Sequence, residues 1–328
     1  VRRLAAALAL LGSACAPLAA PLPETPVPAG PHIVVDTQPV PLDSTDPSRT
    51  RLGAFTYAGG LVLTSRQTSR LHGLSDLKVW PDGRLLALGD QSDLLEARLR
   101  FDAAGRLAGV DQARLTAMKD ETGVDLYAGG QREFDSEGVA ELANGDRIVS
   151  FEQHDRIFLF PHGGPLPRPA PMPDYKFTFN LGMEALAADP EAGPDAYRVG
   201  EEASGRIFAC RLSAACVPAG QVGVEGKQLV ALEPLSGGRM AYLLRGFSVL
   251  TQQNTVALRI VDRQGRVVDG MELARPLTVD NLEGLAAVPT PGGYRFYLVS
   301  DDNFGTYQGK PTDQRTLLLA FDWRPAAR

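Results

Sequence analysis

Apolar residues along this chain fall in short runs, and turn residues separate them. Leu85-Leu86-Ala87-Leu88 follows Asp82-Gly83, and Ile148-Val149-Ser150-Phe151 follows Asn144-Gly145. Phe296-Tyr297-Leu298-Val299 follows Gly292-Gly293. Such runs read as strands, and Asp-Gly or Asn-Gly between two of them reads as a β-hairpin. Convincing helical periodicity is nearly absent.

The hairpins recur. Copies open at positions 75, 137, 184, 228 and 283, at intervals of 62, 47, 44 and 55. Further strand-like sequence follows each, as in Arg156–Phe160, Arg206–Cys210, Thr255–Val261 and Arg315–Phe321. Three to four strands per repeat at this period predict an all-β fold, a β-propeller. A large β-sandwich is the alternative. Five repeats are countable, and the long spacer 103–133 leaves room for a sixth blade. The last copy ends on its third strand, at Leu317 to Phe321. An early strand within Phe55 to Thr64 supplies the missing outer one, so N- and C-terminal strands together close the ring and leave no exposed seam.

The repeat places acids at matched positions. Counting outward from each turn sets Glu137 opposite Glu152, Ser75 opposite Asp90 and Glu283 opposite Asp302. The equivalent pairs are Glu184 with Glu201 and Gln228 with Arg245. In a propeller these positions converge on one face near the central channel. Like charges across a strand pair repel, so the rim calls for a bound cation or for structural hydrogen bonds to neighbouring blades. Oxygen donors without His or Cys suit Ca²⁺ or Mg²⁺ rather than Zn²⁺, and Ca²⁺ is the cofactor expected. On the first reading Asp90, Glu152, Glu201, Asp301 and Asp302 are metal ligands. Glu137, Glu184, Glu283 and Arg245 are then the catalytic candidates, and His72, Ser75 and Asn303 line the substrate position.

The N-terminus reads as an address. Arg2 and Arg3 precede the apolar run Leu4–Leu11 and the small residues Gly12-Ser13-Ala14-Cys15. This is the layout of a secretory signal peptide over residues 1–16, and the run is far short of the ~20 residues of a spanning helix. Cys15 is a candidate lipid anchor; ordinary cleavage near Ala16 or Ala20 is the alternative. Residues 17–49 read as a Pro-rich tether and extended lead-in, and 50–324 as a single propeller domain. The expected location is the periplasm or, through the anchor, the outer membrane, which is the one membrane contact expected. In an oxidising compartment Cys210 and Cys216, either side of one turn, are expected to pair. The net charge of -6 argues against a nucleic-acid partner.

Several of these segments resemble the bacterial "esterase-like activity of phytase" family. They are His72-Gly73-Leu74-Ser75-Asp76, Asp135-Ser136-Glu137-Gly138, Asn180-Leu181-Gly182-Met183-Glu184, Gly200-Glu201-Glu202, Asn281-Leu282-Glu283-Gly284 and Ser300-Asp301-Asp302-Asn303-Phe304. The resemblance spans roughly residues 50 to 323 and keeps the motif order. It implies an exported propeller and hydrolysis of an ester, including a phosphate monoester, so a small-molecule ester is the expected partner. Two classes of function follow. One is a Ca²⁺-assisted hydrolase on the acidic rim. The other is a non-catalytic periplasmic propeller that binds a ligand or protein, with structural calcium.

Overall fold

The computed structural model describes residues 32–307 and 310–325. The expected signal peptide, the candidate anchor Cys15 and the first part of the expected tether lie outside these residues. Three strands open the described chain: β1 (Asp36–Pro39), β2 (Arg51–Leu52) and β3 (Phe55–Thr64). Five antiparallel sheets then follow in sequence order.

Blade 1 is β4 (Leu74–Val79), β5 (Arg84–Gly89), β6 (Asp93–Phe101) and β7 (Leu107–Ala117). Blade 2 is β8 (Ser136–Glu141), β9 (Arg147–Phe151), β10 (Arg156–Phe160) and β11 (Arg168–Pro169). Blade 3 is β12 (Ala185–Ala188), β13 (Ala196–Gly200), β14 (Arg206–Arg211) and β15 (Ala214–Gln221). Blade 4 is β16 (Gln228–Leu235), β17 (Arg239–Ser248), β18 (Gln253–Val261) and β19 (Val267–Leu273). Blade 5 begins with β20 (Asn281–Thr290) and β21 (Gly293–Asp301). A small hairpin, β22 (Thr306–Tyr307) with β23 (Lys310–Pro311), precedes its third strand, β24 (Leu317–Trp323).

β24 then pairs with β3, so the N-terminal strand completes the last blade. Leu319 lies opposite Gly60, and Trp323 opposite Phe55. The ladder hydrogen bonds that close the ring thus join the two ends of the chain. β1 pairs outside β3, and Leu42 is buried in the core between blades 4 and 5. The packed unit therefore starts ahead of residue 50, inside the segment expected as a lead-in.

The blade count is five. The spacer that left room for a sixth holds β7, then a short 3-10 turn (Leu126–Gly129) and one helical turn (Gln131–Phe134). Nothing in it pairs into a further sheet among the described residues.

Each hydrophobic cluster straddles two neighbouring blades. Leu86 and Leu88 of blade 1 meet Val149 and Phe151 of blade 2. Tyr197 and Val199 of blade 3 meet Ile148 and Ile157 of blade 2. Leu229 and Tyr242 of blade 4 meet Ala185 and Ile207 of blade 3. Sheets buried on both faces lose the strict in/out alternation of a one-sided sheet, which is why the strands read as apolar runs. Each fully buried Leu or Phe contributes about 1.5–3 kcal/mol, so face-to-face packing holds the ring together. Cys210 and Cys216 form a disulfide, with Cα atoms 4.1 Å apart, across the β14–β15 turn. No helix among the described residues is long and apolar enough to cross a membrane.

Candidate functional site at the channel mouth

The register of the inner hairpins differs from the one expected. Ser136 pairs with Phe151 but Gly138 pairs with Ser150, so Glu137 is an extra residue, a β-bulge. Ser75 and Glu283 are bulged in the same way, between Leu74 and Asp76 and between Leu282 and Gly284. Two physical causes shift the count. The turn closes through Leu142 N–H to Asp146 O and Gly145 N–H to Leu142 O, a longer loop than two residues. The bulge then adds a further residue on the inner strand only. Glu152 therefore faces Asp135, to whose carbonyl its N–H donates at 2.8 Å, and not Glu137. Asp90 likewise faces Gly73, and Asp301 faces Asn281. Gln228 does lie opposite Arg245.

The residue after two of the bulges explains the repeated Glu-Gly pair. A Cβ on Gly138 would sit 2.5 Å from the Leu186 Cβ and 2.8 Å from the Glu184 carbonyl. A Cβ on Gly284 would sit 2.8 Å from the Asp76 Cα. Glycine lets each inner strand approach the next one closely, and the bulged side chain before it faces the channel mouth.

There the five blades enclose a cavity of about 690 Å³. Of the residues singled out from the sequence, Ser75, Asp90, Glu137, Glu152, Glu184, Arg245, Glu283, Asp301 and Asn303 line it. His72, Glu201 and Asp302 do not. Glu201 instead ties down its own turn, accepting from the Ser204 N–H at 2.9 Å and from the Ser204 hydroxyl. Asp302 accepts from the Gly73 N–H (3.0 Å) and the Thr316 hydroxyl (2.8 Å), and its Oδ2 lies 2.6 Å from His72 Nδ1. Those bonds join blade 5 to blade 1. Glu152 makes an equivalent link, accepting from the Gly182 N–H at the edge of blade 3. Matched acids thus serve partly as latches between blades.

Three acids of the cavity wall, Asp135, Asp280 and Asp313, escaped the register argument, and so did Glu202, which meets Glu152 and Glu184 without lining the cavity. Asp135 enters because the bulge moves it, and not Glu137, opposite Glu152. Glu202 takes the position expected of its neighbour Glu201. Counting one bulge per inner strand would have found Asp135; nothing in the local sequence separates Glu202 from Glu201.

Asp135, Glu137 and Glu152 bring carboxylate oxygens within 4.8 Å of one another, and so do Glu152, Glu184 and Glu202. Glu152 and Glu202 are almost wholly buried, at 2% and 1% exposure. Glu184 Oε2, Glu202 Oε2 and Asp90 Oδ1 are buried without a hydrogen-bond partner. Such oxygens are costly when charged. Burial, reinforced by neighbouring acids, pushes Glu152 up to about 8. Burial raises Glu202 to about 7 even though Arg245 opposes the shift. Asp301 rises to about 6, mainly by burial. Burial and then Glu184 hold Glu137 well above the usual carboxylate range, and burial and then Glu202 do the same for Glu184.

Arg245 is the main counter-charge. Its guanidinium bonds Glu202 (2.9 Å), Glu283 and Asn281 (3.2 Å), joining blades 3, 4 and 5. Arg275 also reaches the wall, but pairs with Asp313 at 2.9 Å. Deeper along the inner strands, Lys78 Nζ lies 3.4 Å from both Asp76 and Glu233 and donates to the Leu186 carbonyl. Asp76 accepts from the Val139 N–H at 2.9 Å, so this group ties four blades together across the axis. The donor set at the mouth is oxygen-rich and contains no imidazole or thiolate. Its orphaned carboxylate oxygens fit a hard divalent cation.

Fold and site define a five-bladed propeller with an acidic channel mouth. The chain belongs to the phytase-like family described by esterase-like activity of phytase, whose model matches residues 69–304. It is thus a member of a propeller family named for hydrolytic activity. No curated protein matches its sequence. Among solved structures it is similar to a gluconolactonase candidate from a structural-genomics programme, at 13% identity over 92% of both chains, TM-score 0.44. It is also similar to a catalytically inactive virginiamycin B lyase from Staphylococcus aureus bound to quinupristin, at 9% identity over 90% of both chains, TM-score 0.40. A third is the Malassezia sympodialis allergen Mala s 1, at 12% identity over 84% of this chain and 91% of that one, TM-score 0.44.

Proposed function

We propose that this protein is an exported hydrolase that cleaves a phosphate ester or another ester at the acidic mouth, assisted by a divalent cation, with calcium the best fit. The observation that carries the reading is the convergence of buried carboxylates at the channel mouth, with unpartnered oxygens on two cavity acids, Asp90 and Glu184, and on Glu202 beside Glu184. Family membership adds the reaction class. Asp135, Glu137, Glu152, Glu184 and Glu202 would hold the cation. When bound, the cation supplies charge neutralisation at the ester and Lewis-acid polarisation.

The remaining residues position the substrate. Glu283 is held in place by Arg245 and by the Asn281 side chain at 3.0 Å, so its carboxylate is fixed at the cavity wall. Asp90 presents an unsatisfied oxygen at the cavity wall, suited to accept a proton from water or a substrate hydroxyl. Ser75 and Asn303 offer neutral hydrogen-bonding groups on the wall. Both wall arginines are already engaged by carboxylates. An anionic substrate would therefore depend on the cation for its charge compensation.

The test is hydrolysis of phosphomonoesters, phytate included, and of carboxylic esters by the mature protein, with calcium and with chelator. Calcium-dependent turnover that falls in Glu137→Gln and Glu283→Gln is expected. Unchanged turnover in both variants would remove the mouth as the active site. A second reading has a specific observation behind it. Glu152 and Asp302 bond backbone amides of neighbouring blades, as structural acids do. On that reading the propeller binds a ligand or partner without catalysis, and no ester is turned over under either condition.

A further inference from the structure

We propose that the mouth holds two divalent cations side by side between blades 2 and 3, with the Glu152 carboxylate shared by both. The inference rests on the cation-assisted reading above and deepens it. The five acids do not form one cluster. Asp135, Glu137 and Glu152 make one mutually close group; Glu152, Glu184 and Glu202 make another. Glu152 is the one member common to both.

Each half of the site is built by the local fold. The first group comes wholly from the mouth end of blade 2: Asp135 precedes β8, Glu137 is its bulge, and Glu152 follows β9. The second group adds Glu184 and Glu202, which flank the β12–β13 hairpin of blade 3. The Gly182 N–H bonds Glu152 Oε1 and fixes that carboxylate across the blade boundary. Arg245 takes Glu202 through Oε1 and leaves Oε2 with no partner. Glu184 Oε2 is in the same state. Both residues are more than nine-tenths buried, at 7% and 1% exposure. The two residues belong to a group that already contains the shared acid, and a cation there offers their unpartnered oxygens a partner.

Charge favours two ions over one. Five carboxylates meet where two arginines reach them, and both are shared with other acids: Arg245 also serves Glu283, and Arg156, which acts on Asp135, also pairs with Glu133. One dication leaves the group strongly anionic, whereas two nearly balance it. An all-oxygen donor set with three carboxylates per position suits Ca²⁺ or Mg²⁺, both of which complete their shells with water or substrate oxygens. Paired cations bridged by a carboxylate form the arrangement that clamps both sides of a phosphoryl or acyl centre.

The experiment is equilibrium dialysis of the full chain against Ca²⁺ with metal analysis, Glu152→Gln serving as the blank for calcium bound elsewhere. The wild type is expected to hold two more calcium ions than Glu152→Gln. Glu137→Gln and Glu184→Gln are each expected to hold one more than the blank. Asp135→Asn and Glu202→Gln duplicate the two halves in case either first variant fails to fold, as judged by circular dichroism. A wild-type excess of one ion, lost in both single variants, overturns the two-ion arrangement and leaves a single-cation site standing. Equal calcium counts in wild type and Glu152→Gln overturn the sharing. No calcium bound by the wild type overturns the inference and the cation-assisted reading together.

Discussion

The burial of acids at the mouth, reinforced by their crowding, makes the cation-free protein less stable as pH rises. In the folded chain Glu152 titrates at about 8 and Glu202 at about 7, both against an ordinary value of 4.5. Asp301 titrates at about 6 against 3.8. Folding therefore holds protons on these groups that the unfolded chain has released. Stability falls with pH wherever the native state binds more protons. The penalty is absent below the unfolded values, grows from about pH 4.5, and is complete above the folded ones. For Glu152 alone, 3.5 pH units correspond to roughly 5 kcal/mol. Over ~290 folded residues this is on the order of 8 °C in Tm. His72 adds to the same trend. Burial disfavours its charged form, but Asp302 outweighs this and raises its pKa, so the pair's contribution is lost as pH rises through that value. The assay is thermal or urea unfolding between pH 5 and 8 in chelator, repeated in excess calcium. A falling profile in chelator that calcium flattens is expected, since a cation binds the deprotonated acids. A flat or rising profile in chelator would refute the reasoning, because the acids would then be free of the burial cost and the mutual repulsion that raise them.

Three further outcomes follow from single contacts. Arg245→Met leaves Glu202 and Glu283 without their partner and is expected to cost about 3–5 kcal/mol in chelator; urea unfolding measures it, and calcium should recover part of the loss. Gly138→Ala places a Cβ 2.5 Å from Leu186 and is expected to cost about 1–3 kcal/mol by overpacking, read as a lower Tm with an unchanged far-ultraviolet spectrum. Replacing both Cys210 and Cys216 by Ser opens a short loop and is expected to lower stability by about 2 kcal/mol, with calcium binding unchanged because the bridge lies on an outer strand pair.

The propeller was legible because its signals are local. Asp82-Gly83 and Asn144-Gly145 mark hairpins by backbone chemistry alone, and the matched acids mark the repeat. Closure by β3 was legible from a missing strand. The blade count was not, since the spacer after β7 has the length of a blade but only a 3-10 turn and one helical turn of structure. Register failed at the bulges, which depend on how closely an inner strand meets its neighbour and not on the hairpin itself. That shift is why Asp135 was passed over. Glu201 and Glu202 are neighbours of identical chemistry, and only the tight turn that captures Glu201 separates it from Glu202, which meets Glu152 and Glu184. Asp302, expected opposite Glu283 as a metal ligand, does not line the cavity, because the Gly73 N–H, Thr316 and His72 use up its oxygens.

The most direct test of the central claim is diffraction from crystals of this protein grown with a lanthanide in place of calcium, read by anomalous scattering. The account predicts strong anomalous peaks between blades 2 and 3, within bonding distance of Glu152 and absent from Glu152→Gln crystals. A mouth free of anomalous signal, with Glu184 and Glu202 bonded only to water, would contradict it.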